Sequence, residues 1–296
     1  MSEKNDLQTR FLLPTAGVRG VGVRLHDTWR DLLVHAEYPE AARNLLGQSC
    51  AAAALFTGHA KVNGRLSLQL RSQHALRTLF AECTAEGTLR GIARLADGAD
   101  APTDLRELGD DALLAITIEN PGLDPREPQR YQSLVSLQAE TLSSVFEGYF
   151  RQSEQLPTRL LLVSDGETAA GLMLQKLPGD EGDADGWNRA GALFDTLDPA
   201  ELLALPTSEL LHRLYHEEAP EILAERPLRF ACSCSRERVA AMLQSLGPEE
   251  AHAALADGRA EVRCEFCGQR YIFSEPQISE LFALPQVGME APERLQ

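Results

Sequence analysis

Along the first 177 residues, hydrophobic and polar positions alternate between two periods. Residues 17–25, 65–71, 88–95, 113–119, 131–137, 159–164 and 168–177 are short, apolar or alternating, and bounded by Gly, Pro, Asn or Asp, as strands are. Between them, residues 39–61 form an Ala-rich stretch long enough for a helix of roughly five turns or more, and residues 141–153 read as another. Helical stretches interrupt the strands too rarely for a regular βαβ alternation. The pattern predicts an α+β fold, with an N-terminal domain of mostly antiparallel sheet and accompanying helices.

The period changes after residue 177. Asp198-Pro199-Ala200-Glu201 places an N-cap Asp, a Pro at the first helical position and a Glu at the third, three agreeing start signals. That helix must end by Pro206. Thr207 or Ser208 can cap a second helix, in which Leu210, Leu211, Leu214 and Tyr215 form one apolar stripe. Two such short helices cannot bury their stripes alone, so they must lie on a flanking domain or on a partner. Farther on, Ser235 can cap a helix running through Val239, Met242 and Leu243 to Gly247, a second can start at Pro248, and residues 269–273 read as a strand. The chain therefore divides into an N-terminal domain (1–177), a helical linker (178–230) and a small C-terminal module (231–296).

Charge sharpens this division. The 296 residues carry 28 Lys and Arg against 44 Asp and Glu, a net charge of −16, which argues against nucleic acid or an anionic membrane as a partner. Half of the excess lies in residues 178–230, where four arginines face twelve acids. That segment opens with Pro178-Gly-Asp-Glu-Gly-Asp-Ala-Asp-Gly186, so its docking is expected to be marginal. The longest apolar run, residues 50–56, is far below the ~20 residues of a spanning helix, and the N-terminal stretch lacks an apolar signal region. A reducing, cytoplasmic location is the expectation, and six cysteines are too few for a disulfide scaffold.

The placement of those cysteines carries the chemistry. Cys232-Ser-Cys234 is followed, 29 residues later, by Cys264-Glu-Phe-Cys267-Gly268. Two close pairs of thiols separated by a few tens of residues suit a tetrahedral zinc site, because each pair supplies two ligands from one turn. A module with so few large apolar groups makes a poor core, and zinc binding would decide whether it folds. Oxidation to disulfides would destroy the ligands, release the metal and remove that folding energy together. Four cysteines allow three pairings, and proximity favours Cys232–Cys234 with Cys264–Cys267. Residues i and i+2 of an extended segment stand near the upper limit of about 6.8 Å for a disulfide, so Cys264–Cys267 is expected to close first.

At these residues the chain resembles the redox-regulated bacterial heat-shock chaperonins of about 33 kDa. The likeness runs through Val18-Arg19-Gly20, Tyr149-Phe150-Arg-Gln-Ser153-Glu154-Gln155-Leu156-Pro157-Thr158-Arg159, Arg213-Leu214-Tyr215-His216-Glu217-Glu218, Phe230-Ala-Cys232-Ser-Cys234-Ser235-Arg236-Glu237-Arg238 and Cys264-Glu-Phe-Cys267-Gly268-Gln-Arg-Tyr271-Ile-Phe273. The resemblance implies an ATP-independent holdase and no enzyme. Such a protein is inactive when reduced and zinc-bound; when oxidised, with its linker unfolded, it dimerises and binds unfolding clients. It also implies that Cys232, Cys234, Cys264 and Cys267 are both zinc ligands and redox switch. On this reading the C-terminal module is the surface on which residues 187–230 lie, and its loss frees them.

Two rival readings arise from the same cysteines. A zinc ribbon that binds nucleic acid or the ribosome is opposed by the net −4 of residues 231–296, although Arg236, Arg238, Arg259, Arg263 and Arg270 could cluster. A thiol oxidoreductase using Cys264 and Cys267 would prefer a helix N-terminus in a βαβ setting. His212 and His216 lack the intervening Glu of a metalloprotease helix and read as a solvated face. Gly17, Gly20 and Gly22 form only part of a phosphate loop and are expected at strand turns, while Cys50 and Cys83 are expected to be buried packing residues.

Overall fold

The strand periods of the N-terminal part resolve into two sheets on either side of one buried helix. The computed structural model describes residues 6–122, 128–179 and 183–283, so residues 180–182 of the acidic opening and residues 284–296 fall outside the described residues. In chain order the elements are β1 (Leu7–Leu13), β2 (Val18–Leu25), α1 (Asp27–Leu33), α2 (Glu40–His59), β3 (Arg65–Arg71), β4 (Leu76–Thr84), β5 (Thr88–Leu95), β6 (Leu113–Asn120), β7 (Gln129–Val135), α3 (Leu142–Tyr149), β8 (Thr158–Ser164) and β9 (Ala169–Lys176). Then follow α4 (Gly186–Phe194), α5 (Pro199–Ala204), α6 (Thr207–Tyr215), β10 (Glu221–Pro227) and β11 (Arg229–Phe230). The last group is α7 (Arg236–Leu246), α8 (Pro248–Ala253), β12 (Arg259–Arg263), β13 (Arg270–Ser274) and α9 (Glu275–Phe282). These form two compact units, Met1–Cys232 and Ser233–Gln296.

In the first unit one sheet has the order β10-β1-β2-β9-β8, every pair antiparallel. The other has the order β11-β5-β4-β3-β6-β7 and is antiparallel except where β11 runs parallel to β5. Helix α2 packs on β2, β8 and β9 of one sheet and on β3, β4 and β5 of the other. A helix covered on both sides needs small residues all round, and Ala51, Ala52, Ala53 and Ala54 are wholly buried there. The fit is close: a Cβ at Gly47 would stand 2.0 Å from Ser164 Oγ. The sequence expectation of an α+β fold with mostly antiparallel sheet agrees with this architecture.

The opposite face of the five-stranded sheet carries the acidic middle segment. Phe194, Leu202, Leu210, Leu211 and Tyr215 of α4–α6 cluster with Phe11, Leu13, Val18, Leu172 and Leu174 of the sheet. The surface beneath these helices is therefore the sheet of the first unit, which corrects the expectation that they rest on the C-terminal module. Asp198 caps α5 as expected, accepting the Ala200 N–H at 2.7 Å. For α6 the cap is Pro206, and neither Thr207 nor Ser208 fills that role. Thr207 instead presses on β2, where a Cβ at Gly22 would meet its methyl at 2.3 Å. Gly20 and Gly22 are thus inside a strand and not at turns: each makes room for a side chain, Phe11 or Thr207.

Four acids of the segment sit in ion pairs with arginines. Glu218, buried at 2%, receives both Nε and Nη2 of Arg189 at 2.5 and 2.9 Å, and Nη2 also reaches Asp183 at 2.8 Å. Arg213 pairs with Glu201 at 2.6 Å and Arg159 with Asp195 at 3.3 Å. Beyond α6 the segment leaves the helical conformation expected for it and pairs as β10 with β1.

The second unit is small. Its core consists of Val239, Leu243, Ala251, Ala260, Phe273 and Ile278, with the Arg236 guanidinium 4.1 Å over the Phe273 ring. Helix α7 starts as expected, with Ser235 Oγ accepting the Arg238 N–H at 3.3 Å. Met242, expected on its apolar stripe, is 43% exposed; the buried residues of the helix are Val239 and Leu243.

Candidate metal centre

Each half of the centre is built by a short backbone device. The first pair follows β11, whose pairing to β5 is prolonged by the Ala231 N–H donating to Leu89 O at 3.0 Å. Arg238 from the first turn of α7 donates to Ser233 O at 2.7 Å and fixes the residue between Cys232 and Cys234. The second pair sits at the tip of the β12–β13 hairpin. There Cys264 N–H donates to Gln269 O and Gly268 N–H to Cys264 O, both at 2.8 Å. Gly268 takes φ 67°, a left-handed conformation that favours glycine and closes the turn directly after Cys267.

These devices bring Cys232, Cys234, Cys264 and Cys267 together, with all four sulfurs within 4.8 Å of one another. Sγ of Cys234 and Sγ of Cys267 are 3.4 Å apart. A tetrahedral zinc with bonds of about 2.3 Å separates its sulfurs by about 3.8 Å, so the set fits a metal ion of that kind. The four are partly exposed, and no disulfide joins any of the six cysteines. Tyr271, from β13, donates its hydroxyl to Cys234 Sγ at 3.1 Å. That bond, with desolvation and the charge of the neighbouring thiolates, pushes the phenol up to about 12. Spacing alone does not disclose Tyr271; its place opposite Val262 in the hairpin register does.

The other sequence candidates lie elsewhere. Cys50 and Cys83 are buried at 1% and 0%, with burial pushing the Cys83 thiol up to about 11 and that of Cys50 higher still. His212 and His216 stand 5.9 Å apart between ring centroids on the exposed side of α6 and join no metal-binding group among the described residues.

Residues 6–274 match the family described as Hsp33 protein. The "33 kDa chaperonin" of Ectopseudomonas mendocina is 43% identical over 98% of this chain and 99% of its own length. The chain belongs to the Hsp33 family. A second Hsp33-family relative, the "33 kDa chaperonin" of Azotobacter vinelandii, is 45% identical over 94% of the chain and 95% of its own length. In three dimensions the fold is that of the Thermotoga maritima Hsp33 homologue, with a TM-score of 0.73 at 20% identity, covering 94% of this chain and 97% of that one. Membership of Hsp33 makes this a chaperone-family protein, and the four close cysteines are a set that could bind a metal ion.

Proposed function

We propose that this Hsp33-family protein is an ATP-independent holdase switched by oxidation, active in the cytoplasm and without enzymatic activity. The observation that carries the reading is a cluster of four sulfurs, three of them from a unit whose own core has, among the described residues, six buried apolar side chains, two of them alanine. Zinc, when bound, supplies folding free energy on the order of 10–16 kcal/mol to such small modules. Cys232, Cys234, Cys264 and Cys267 are its ligands in the reduced protein.

For each disulfide, two thiols lose two electrons and two protons to a peroxide, which leaves as two waters if it is hydrogen peroxide. The proposed pairs are Cys232–Cys234 and Cys264–Cys267; the approach of Cys234 to Cys267 makes peptide mapping of the oxidised protein the direct check on them. Without its ligands the second unit loses its stability. Cys232 is two residues beyond β11, a strand of only two residues, so the loss weakens the C-terminal anchor of the segment 178–230 and with it the docking of α4–α6. Release of α4–α6 uncovers Phe11, Leu13, Val18, Leu172 and Leu174 together with the helices' own stripes. Apolar surface of this kind binds unfolding clients, and it also drives the oxidised protein to dimerise.

The test compares suppression of client aggregation by reduced, zinc-loaded protein and by oxidised protein, with zinc release followed in parallel. Activity confined to the oxidised state, rising as zinc leaves, is the expected result. Equal activity in both states rejects the switch.

A further inference from the structure

The stretch 149–159, a signature of the family resemblance, takes no part in the metal centre. Its backbone is unusual: α3 runs into a π turn over Phe150–Glu154, and Gln155 then adopts a left-handed φ of 55°. Such irregularities are costly and cluster where side chains must be aimed. Here they border a cavity of about 240 Å³ lined by Glu147, Arg151, Gln155, Pro157, Arg159 and Trp187. The lining comes from α3, the π turn, the loop 155–157 and β8; Trp187 alone comes from α4.

The charges favour an anion. Glu147 is already engaged, accepting the Leu160 N–H at 2.8 Å, and its burial raises its pKa. Arg159 lies 3.3 Å from Asp195 through Nε, yet that buried nitrogen makes no hydrogen bond among the described residues. Gly191, one turn after Trp187 on the same face of α4, leaves room there: an added Cβ would stand 3.9 Å from Arg159 Nε.

We propose that this cavity binds a small organic anion bearing a flat ring, its carboxylate or phosphate held by Arg151 and Arg159 and its ring on the Trp187 indole. Guanidinium forks match the geometry of either acid group, and the indole supplies a flat apolar wall. The volume suits one ring with one acidic group, below the range of drug-sized ligands. Because Trp187 belongs to α4, the ligand binds only while α4 is docked, and its binding opposes release of the segment. That last consequence rests on the proposed function; the binding itself does not.

Reduced protein is titrated with phenyl phosphate, benzoate and inorganic phosphate, with tryptophan fluorescence as the readout. The chain has two tryptophans, and Trp29 is fully buried with its Nε1 donating to Asp165 O at 3.1 Å, so W187F isolates the signal. A saturable change with a ring-bearing anion, absent in W187F and shifted about tenfold or more in R151Q and R159Q, supports the site. R151K and R159K, with circular dichroism on every variant, separate lost charge from lost fold. No saturable change in the wild type, or unshifted half-saturation in folded R151Q and R159Q, overturns the site. Response to inorganic phosphate as strong as to phenyl phosphate overturns the ring. Ligand protection of residues 186–215 from protease supports the coupling; saturable binding without protection overturns the coupling alone. The aggregation assay judges the switch separately.

Discussion

His59 is a histidine whose surroundings oppose its charge. It sits at the C-terminal end of α2, mostly buried, with Arg19 Nη2 3.4 Å from its Nε2 and the Phe150 ring edge-on at 5.6 Å. Burial first, then Arg19 and Arg10, hold it down to about 4 from an ordinary 6.5. Between those values the unfolded chain binds a proton that the folded protein refuses, so stability rises with pH there. The contribution is present above pH 6.5 and is lost as pH falls toward 4, by at most about 3 kcal/mol. Denaturant titrations across this window are expected to show the slope, and H59Q to flatten it. The cysteines divide as sharply. With metal removed under reducing conditions and the first unit still folded, alkylation should spare Cys50 and Cys83, whose burial disfavours the thiolate, and modify the four clustered thiols. Mass spectrometry that finds either buried thiol labelled as fast as the four clustered thiols would contradict this.

Among the elements, the segment α4–α6 has the most at stake in one ion pair. Arg189 is held far above its ordinary pKa by hydrogen bonds to Glu218 and Asp183. Replacing it leaves Glu218 buried without its cation, which destabilises more than removing both partners. R189Q is therefore expected to raise the rate of proteolytic cleavage within residues 186–218 on the order of tenfold or more, and R189Q/E218Q to raise it less. Much of this architecture was legible in the sequence. The period of residues 65–71 became β3, the Ala-rich stretch became α2, and the signals at Asp198 and Ser235 became helix starts. Other elements left no pattern. In β1 the buried faces include Gln8 and Thr9, so alternation of apolar with polar is lost. A bulge between Leu76 and Thr78 breaks the period of β4. Strand β10 is exposed almost throughout and exists through backbone pairing with β1, which side-chain pattern does not encode. The four-cysteine cluster was legible because the spacing within each pair is local; the π turn at residues 150–154 left no such signal, and the cavity beside it depends on α4 arriving from elsewhere in the chain.

At the scale of the molecule, the two units differ in what holds them. Among the described residues the first has dozens of buried apolar side chains around α2, and the core of the second has six. Metal removal by a chelator from reduced protein is therefore expected to abolish the ordered β12–β13 hairpin while leaving the first unit's cooperative unfolding in place. Calorimetry should then show one transition where the metal-loaded protein shows a second, metal-dependent one. A single transition that falls as a whole on chelation would mean that the units do not fold independently.

Under the proposed switch, the pairing of β10 with β1 sets the chain topology of release. Residues 177–220 leave the five-stranded sheet at β9 and return to it at β10. While that register holds, the undocked segment is a closed loop and not a loose tail. Its ends stay fixed, its gain in disorder is capped by loop closure, and its helices remain at high local concentration beside the sheet they left. Reversal under the proposed switch then requires no search through solution: in a protomer free of client and partner, with the thiols restored, recapture is a unimolecular event, independent of protein concentration.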